Sequence, residues 1–354
     1  MKRAQRNAFV LAAIGLAASI IGWISLPGEF PHAWLAALSC WLAWALGSLG
    51  LVLIHALTGG RWGHLVRRPL AASIATLPLL LPLLVPVLAA GRRLYPWMEP
   101  GVAAHLGNGL YLNTTFFYIR TAVYAGVWLA LGAAVLRALR GAETERRLAR
   151  LAPGGLILLA LTVTFASIDY TLSLEPAFSS SVYGWLACSE ALLFALSVAL
   201  IGPCLTAAPD AAAVRPLARL LLGLTVLWAY LDFMQLLIVW NSDLPREAAW
   251  YAPRLTGFWG GLAAGVALGH FALPFVALIW APVQRSARVV AGVAAVLVLA
   301  ELPRVWWIVI PAAGRGLDWI DAAAMLGVLG LAGGIALRAL NRTRDPEGGI
   351  RAGA

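Results

Sequence analysis

The stretch "SIDYTLSLEPAFSSSVYGWLACSEALLF", residues Ser167–Phe194, joins one apolar run to the next and carries Asp169, Glu175 and Glu190 on the way. Three carboxylates, two tyrosines and a run of serines are too many for a lipid-facing helix and are not needed in a soluble core. The stretch reads as the end of one membrane helix, a polar turn at the membrane surface and the start of the next. Asp169 and Glu175 are expected to cap this hairpin, with Ser179–Ser181 capping the following helix N-terminus. Glu175 is expected to face water, and Glu190 to carry the polar line into the bilayer.

Composition supports this reading across the whole chain. Of 354 residues, 61% are hydrophobic and only 12% charged, against about 25% charged in soluble domains. Apolar stretches of about 20 residues recur throughout, whereas the alternating ten-residue segments of an outer-membrane barrel are absent. The expectation is an all-α integral membrane protein with spans at 8–25, 32–58, 70–91, 111–138, 152–172, 180–207, 214–240, 254–281, 286–311 and 319–340. These form a single polytopic domain over residues 1–340, followed by a disordered cytoplasmic tail over 341–354. The N-terminal apolar run has no small-x-small cleavage site before the next span, so it is expected to be the first helix rather than a signal peptide.

The net charge of +10 sets topology rather than nucleic-acid binding. Of the 26 basic residues, Arg92, Arg93, Arg246, Arg254, Arg304 and Arg315 fall on one side of the predicted membrane and Arg120 within a span. The other 19 lie on the opposite side. This bias predicts a multi-pass membrane protein with both termini cytoplasmic; the resemblance described below implies a bacterial inner membrane. Trp97, Trp250, Tyr95 and Tyr251 stand where an aromatic belt would anchor the outer helix ends. Cys40, Cys188 and Cys204 lie in or beside spans and form no C-x-x-C pair, so they read as small packing residues and not as ligands.

An internal echo is visible: "WLAWALGSLGLVLI" from Trp41 and "WLACSEALLFALSV" from Trp185 share their opening and their rhythm of small residues. Each opens a set of four spans, two to five and six to nine. Two four-helix bundles flanked by single peripheral helices follow from it.

Ionisable groups inside spans cost roughly 2.5–3.5 kcal/mol each on insertion scales, so each one present calls for a reason. The candidates for a proton path are Arg120, Asp169, Glu190, Asp232, His270, Glu301 and His55, with Tyr124 and Gln235 on the same helix faces; the quinone pocket considered below draws on the same residues. Asn113, Phe117, Arg120 and Tyr124 form one stripe, and Trp228, Asp232 and Gln235 another. At ~1.5 Å per residue from the outer helix end, Asp169 lies ~5 Å deep, Asp232 and Arg120 ~12–13 Å, Glu190 and Glu301 ~15 Å and His270 ~24 Å. His55 lies near the inner end. Glu301 and Arg304, three residues apart, are expected to pair locally. Arg120 is then left to serve Asp169, Glu190 and Asp232, so at least two carboxyls must be neutral, water-solvated or bonded to groups such as Tyr230. Acids graded in depth suit a proton path; the same acids could instead bond neighbouring helices together.

"HALTGGRWGHLVRRPL", "LYPWMEP", "SIDYTLSLEPAFSSSVYGW" and "VWNSDLPREAAWY" match, in order and spacing, a family that the chain resembles from Ala33 to about Leu340. This is the quinone-binding subunit 2 family of quinol:cytochrome c oxidoreductases, the membrane subunits of alternative complex III, within the NrfD-like (polysulfide reductase membrane subunit) superfamily. Ala177 departs from the bulkier residue of that pattern. The resemblance implies a ten-helix subunit with no redox cofactor of its own, contributing quinone or quinol interaction and a transmembrane proton path. It further implies a sister polytopic membrane subunit, with iron–sulfur clusters and c-type haem on periplasmic partner subunits. Two other readings suit the same residues: an autonomous proton-coupled transporter, and a purely structural anchor for periplasmic redox subunits.

Overall fold

The chain is an all-α integral membrane protein. The computed structural model describes residues 2–102, 109–141, 143–206, 209–242 and 245–342, and among these it contains ten helices long and apolar enough to cross a membrane. Spans 1 to 10 run Lys2–Ser25, Phe30–Thr58, Trp62–Ala89, Thr114–Leu139, Thr144–Leu174, Tyr183–Thr206, Ala211–Asn241, Gly257–Ile279, Ala287–Ala313 and Trp319–Arg342. Hydrocarbon offers no partner to a backbone amide, so each span satisfies its own hydrogen bonds as a helix. Most of the tail expected from residue 341, and residues 243–244 of the Asn241–Pro245 turn, lie outside the described residues.

Several helices run past their apolar cores. Span 3 begins at Trp62 and span 5 at Thr144, about two turns before the hydrophobic runs expected from 70 and 152. The added turns are basic, "RWGHLVRR" and "TERRLAR", and Arg67 on one reaches Glu145 on the other at 2.6 Å. Helix geometry persists there because water, rather than lipid, receives the outward side chains. Asn341 Nδ2 donates to Gln5 Oε1 at 2.7 Å, so both described ends of the chain share one face. That face is called the terminal face below, and the opposite one the far face.

Spans 2 to 5 pack in one group (2 on 3, 2 on 5, 3 on 4, 4 on 5) and spans 6 to 9 in a second (6 on 7, 6 on 9, 7 on 8, 8 on 9). Spans 1 and 10 pack on each other at the side, against spans 2 and 3. A Cβ on Gly15 would lie 2.3 Å from the Gly327 amide nitrogen, so that pair approaches backbone to backbone. Span 2 is the most enclosed of the ten and joins the two groups by packing on span 6.

The sequence echo meets the structure at this joint. Superposing Trp41 on Trp185 aligns Gly47 with Ala191, and these two residues touch: a Cβ on Gly47 would sit 1.8 Å from the Ala191 carbonyl oxygen. Two aligned positions of the echo thus meet at the joint between the groups, as equivalent positions of parallel repeats would at a shared axis. Gly47→Leu should therefore drive the halves apart and cost at least the ~1–3 kcal/mol typical of overpacking. Gly126→Ala, inside span 4 where nothing lies within 4 Å, should not lower stability and should raise it by up to ~1 kcal/mol. Thermal aggregation midpoints of the purified variants check both outcomes.

Candidate functional site

Each half of the molecule buries one arginine within a span, and the two are treated differently. In the first half, Asn113 caps span 4 by accepting from the Phe116 amide at 3.2 Å, and the stripe beyond it turns inward. Arg120 Nε and Nη2 donate to the two oxygens of Asp169 on span 5 at 2.8 and 2.7 Å, and Tyr124 Oη donates to the same carboxylate at 2.8 Å. Arg120 Nη1 donates to the Tyr111 carbonyl at 3.0 Å, and the guanidinium lies over the Tyr111 ring at 3.9 Å. Asp169 is fully buried. Charge and hydrogen-bond capacity are matched, which is the arrangement of a structural pin. Arg120 serves Asp169 alone; the expectation that it would also serve Glu190 and Asp232 is overturned.

In the second half one guanidinium meets an excess of acid. Arg304 of span 9 reaches Asp232 of span 7 at 2.6 Å and Glu190 of span 6 at 3.7 Å. It stands 5.1 Å from the Trp307 ring and 5.5 Å from that of Trp228. Glu301 does not pair with Arg304 as expected. Three residues of helix separate them by a sixth of a turn and ~4.5 Å of rise. Glu301 consequently faces His270 of span 8, whose Nε2 lies 3.0 Å from Glu301 Oε2. The Glu301 carboxyl also meets that of Glu190 directly. Trp228 completes the cluster, its Nε1 donating to Glu190 Oε2 at 3.4 Å and its ring 4.2 Å from that of His270. His270, Glu301, Glu190 and Arg304 are all buried.

His270 reaches this level through a local departure from α-helix. Pro274 has no amide to bond the His270 carbonyl and would clash with it in a regular helix. The chain relieves this with a π-helical turn over Ala267–Ala272, which turns His270 inward. The depth count placed His270 ~9 Å below Glu301. It failed because counting along each helix ignores tilt and the wider turn.

Two cavities border the cluster. One of about 110 Å³ lies between the two halves, with Glu190, Glu301 and Tyr183 on its polar side and Leu42, Leu46 and Trp128 on its apolar side. The second, about 750 Å³, opens between spans 7 and 8, lined by Asp232, Arg304, Trp228, Trp307, Tyr251 and Phe271 among others. The terminal-face half of span 8, Leu273–Ile279, packs on both spans 7 and 9, whereas the far-face half, Gly257–Val266, packs on span 9 and leaves the cleft open toward span 7.

The remaining candidates separate from the cluster. His55 sits at the terminal-face end of span 2, its Nε2 2.9 Å from the Gly60 carbonyl and its ring against Trp62 and His64. Gln235 lies toward the far face, donating to Tyr251 Oη at 3.0 Å and accepting from Ser180 Oγ at 2.6 Å. Ser179 donates to Glu247 at 2.9 Å; Ser179 and Ser180 thus bond span 7 and its following loop, and are not helix caps. Tyr230 is more than half exposed.

Sequence reasoning missed a third arginine. Arg254 is completely buried in the far-face loops, where it pairs with Glu175, donates to the Trp250 and Ile308 carbonyls and lies 3.8 Å over the Trp250 ring. Burial lowers its proton affinity, and the Glu175 bond opposes that. Glu175 therefore pairs with this guanidinium while its side chain stays partly exposed. The expected aromatic belt is corrected: Tyr95, Trp97, Trp250 and Tyr251 are buried in loop packing. Trp97 Nε1, for example, donates to the Ser173 carbonyl at 3.1 Å. Burial raises the Tyr251 hydroxyl to about 12. Exposed Trp185, Trp240 and Trp280 occupy helix ends instead.

No protein-family model matches this chain, and no curated protein sequence does either. The different treatment of the two arginines is open to direct measurement. Asp169→Ala strands a buried guanidinium and should cost on the order of 3 kcal/mol or more, seen as loss of folded protein on detergent extraction. Asp232→Ala should cost less, because that carboxylate is about a third exposed and Glu190 remains beside Arg304.

Proposed function

We propose that this chain is the cofactor-free membrane subunit of a quinol-oxidising complex of the alternative complex III type, and that its second four-span group handles protons. The supporting observation is the direct contact of Glu190, Glu301 and His270 beside a single guanidinium. Three carboxyls and an imidazole against one arginine are neutral overall only if protons are held among them. Two carboxyl groups in contact need a proton between them. A purely structural link would need no such surplus, as the Arg120–Asp169 pair illustrates.

The cleft between spans 7 and 8 favours quinone interaction as part of the same function. Its aromatic walls fit a flat, lipid-soluble ring, and Arg304, Trp228 and Tyr251 supply donors at its polar end. A bound quinol would supply protons and electrons; this chain's residues would orient its head and take up protons at the Asp232 and Glu190 carboxylates. Electrons would pass to haem and iron–sulfur centres on partner subunits, beside a sister membrane subunit. The terminal face would lie in the cytoplasm of a bacterial inner membrane, in accord with the arginine bias.

Glu190→Gln keeps shape and hydrogen bonding but removes the titrating group. The complex purified from its own membranes should assemble with unchanged haem content and lose most of the proton uptake or release coupled to turnover. Wild-type stoichiometry would reduce Glu190 to an interhelical link. For orientation, a periplasm-active reporter fused after Ala354 should be silent and one inserted at Pro100 active; the reverse pattern would invert the assignment.

A further inference from the structure

Between the Asp232–Arg304 cleft and the far face stands a thin polar partition. On its outer side is a groove of about 560 Å³, with Ser179, Ser180, Ser181, Gln235 and Glu247 on its polar side and apolar residues such as Leu172, Phe178 and Val239 lining the rest. On its inner side is the 750 Å³ cleft, whose lining includes Tyr251 but not Gln235. One residue from each space joins them: Gln235 Nε2 donates to Tyr251 Oη at 3.0 Å, with both residues buried. Gln235 is held from outside by Ser180 at 2.6 Å.

These groups make a polar path that does not conduct as it stands. A carboxamide has no titrating proton and offers no hand-to-hand transfer from Ser180 to Tyr251. The Tyr251 hydroxyl, raised to about 12 by burial, does not ionise near neutrality. Protons can cross only if Gln235 swings aside and water enters from the groove, where the serines, Gln235 and Glu247 offer it hydrogen-bond partners. Gln235 sits on a helix, but its two partners are a loop serine and the last residue of the short helix Pro245–Tyr251. The bond can therefore open without disturbing a span.

We propose that Gln235 and Tyr251 form the closed gate of a far-face water port leading to the Asp232–Arg304 cleft. This deepens the proton-handling reading and rests on it for its purpose, though not for its geometry. In reach are Glu247 at the mouth, Asp232 and Arg304 inside, and Arg254 with Glu175 behind Tyr251 in the loop.

The test uses the full chain in membrane vesicles of known orientation, with Leu236→Cys as a reporter on the cleft wall. The probe is a permanently charged, membrane-impermeant methanethiosulfonate applied from the far face, counted over the parent with its three native cysteines. Adding Gln235→Ala should raise the labelling rate about ten-fold or more. Tyr251→Phe removes the hydroxyl while keeping the ring; it should raise the rate as well, and it decides the matter if the alanine variant fails to fold. Unchanged labelling in a folded variant would overturn the gate. Proton stoichiometry in Glu190→Gln is scored separately: wild-type coupling alongside accelerated labelling would leave a water gate and remove the proton-handling reading.

Discussion

A guanidinium held inside a membrane domain must be matched by acid, and Arg304 organises the second half of this protein under that constraint. Its two carboxylate partners come from different helices, spans 6 and 7, and it stands on a third. Span 8 joins through His270 and Glu301, one turn along the same helix as Arg304. All four helices of the group therefore converge on one polar centre, and any rearrangement there is felt by each of them.

The contrast with the first half gives this centre its functional meaning. Arg120 donates to both oxygens of Asp169 and to a backbone carbonyl, and the Tyr124 hydroxyl donates to the same carboxylate, so one charge meets one charge. Around Arg304, acid exceeds base, and a lateral cleft leads to the excess. The two four-span groups share a packing joint, yet one holds a saturated pair and the other an unsaturated cluster.

The far-face loops hold the cluster's outer boundary in place. Buried Arg254 ties the loop after span 7 to the hairpin after span 5 and to the end of span 9. Trp307 Nε1 donates back to the Arg254 carbonyl at 2.9 Å. The wall that carries Tyr251 is thus positioned by a network with little freedom, while the Gln235–Tyr251 bond itself joins side chains from two elements.

Span number and helical class were legible in the sequence, because lipid leaves a chain few ways to satisfy its backbone and demands long apolar runs in return. Glu190, Asp232, His270 and Glu301 were legible as candidates for a related reason: each is costly in hydrocarbon. Which of them meet was decided only by tertiary structure. Glu301 and Arg304 are three residues apart yet face different helices, and His270 reaches Glu301 only through the π turn that Pro274 imposes. Glu175 and Arg254 were unreadable as a pair because they lie 79 residues apart in loops that carry no periodicity. Gly47 and Ala191 stood in register in the sequence, but only the packing of the two groups shows that this register is a contact.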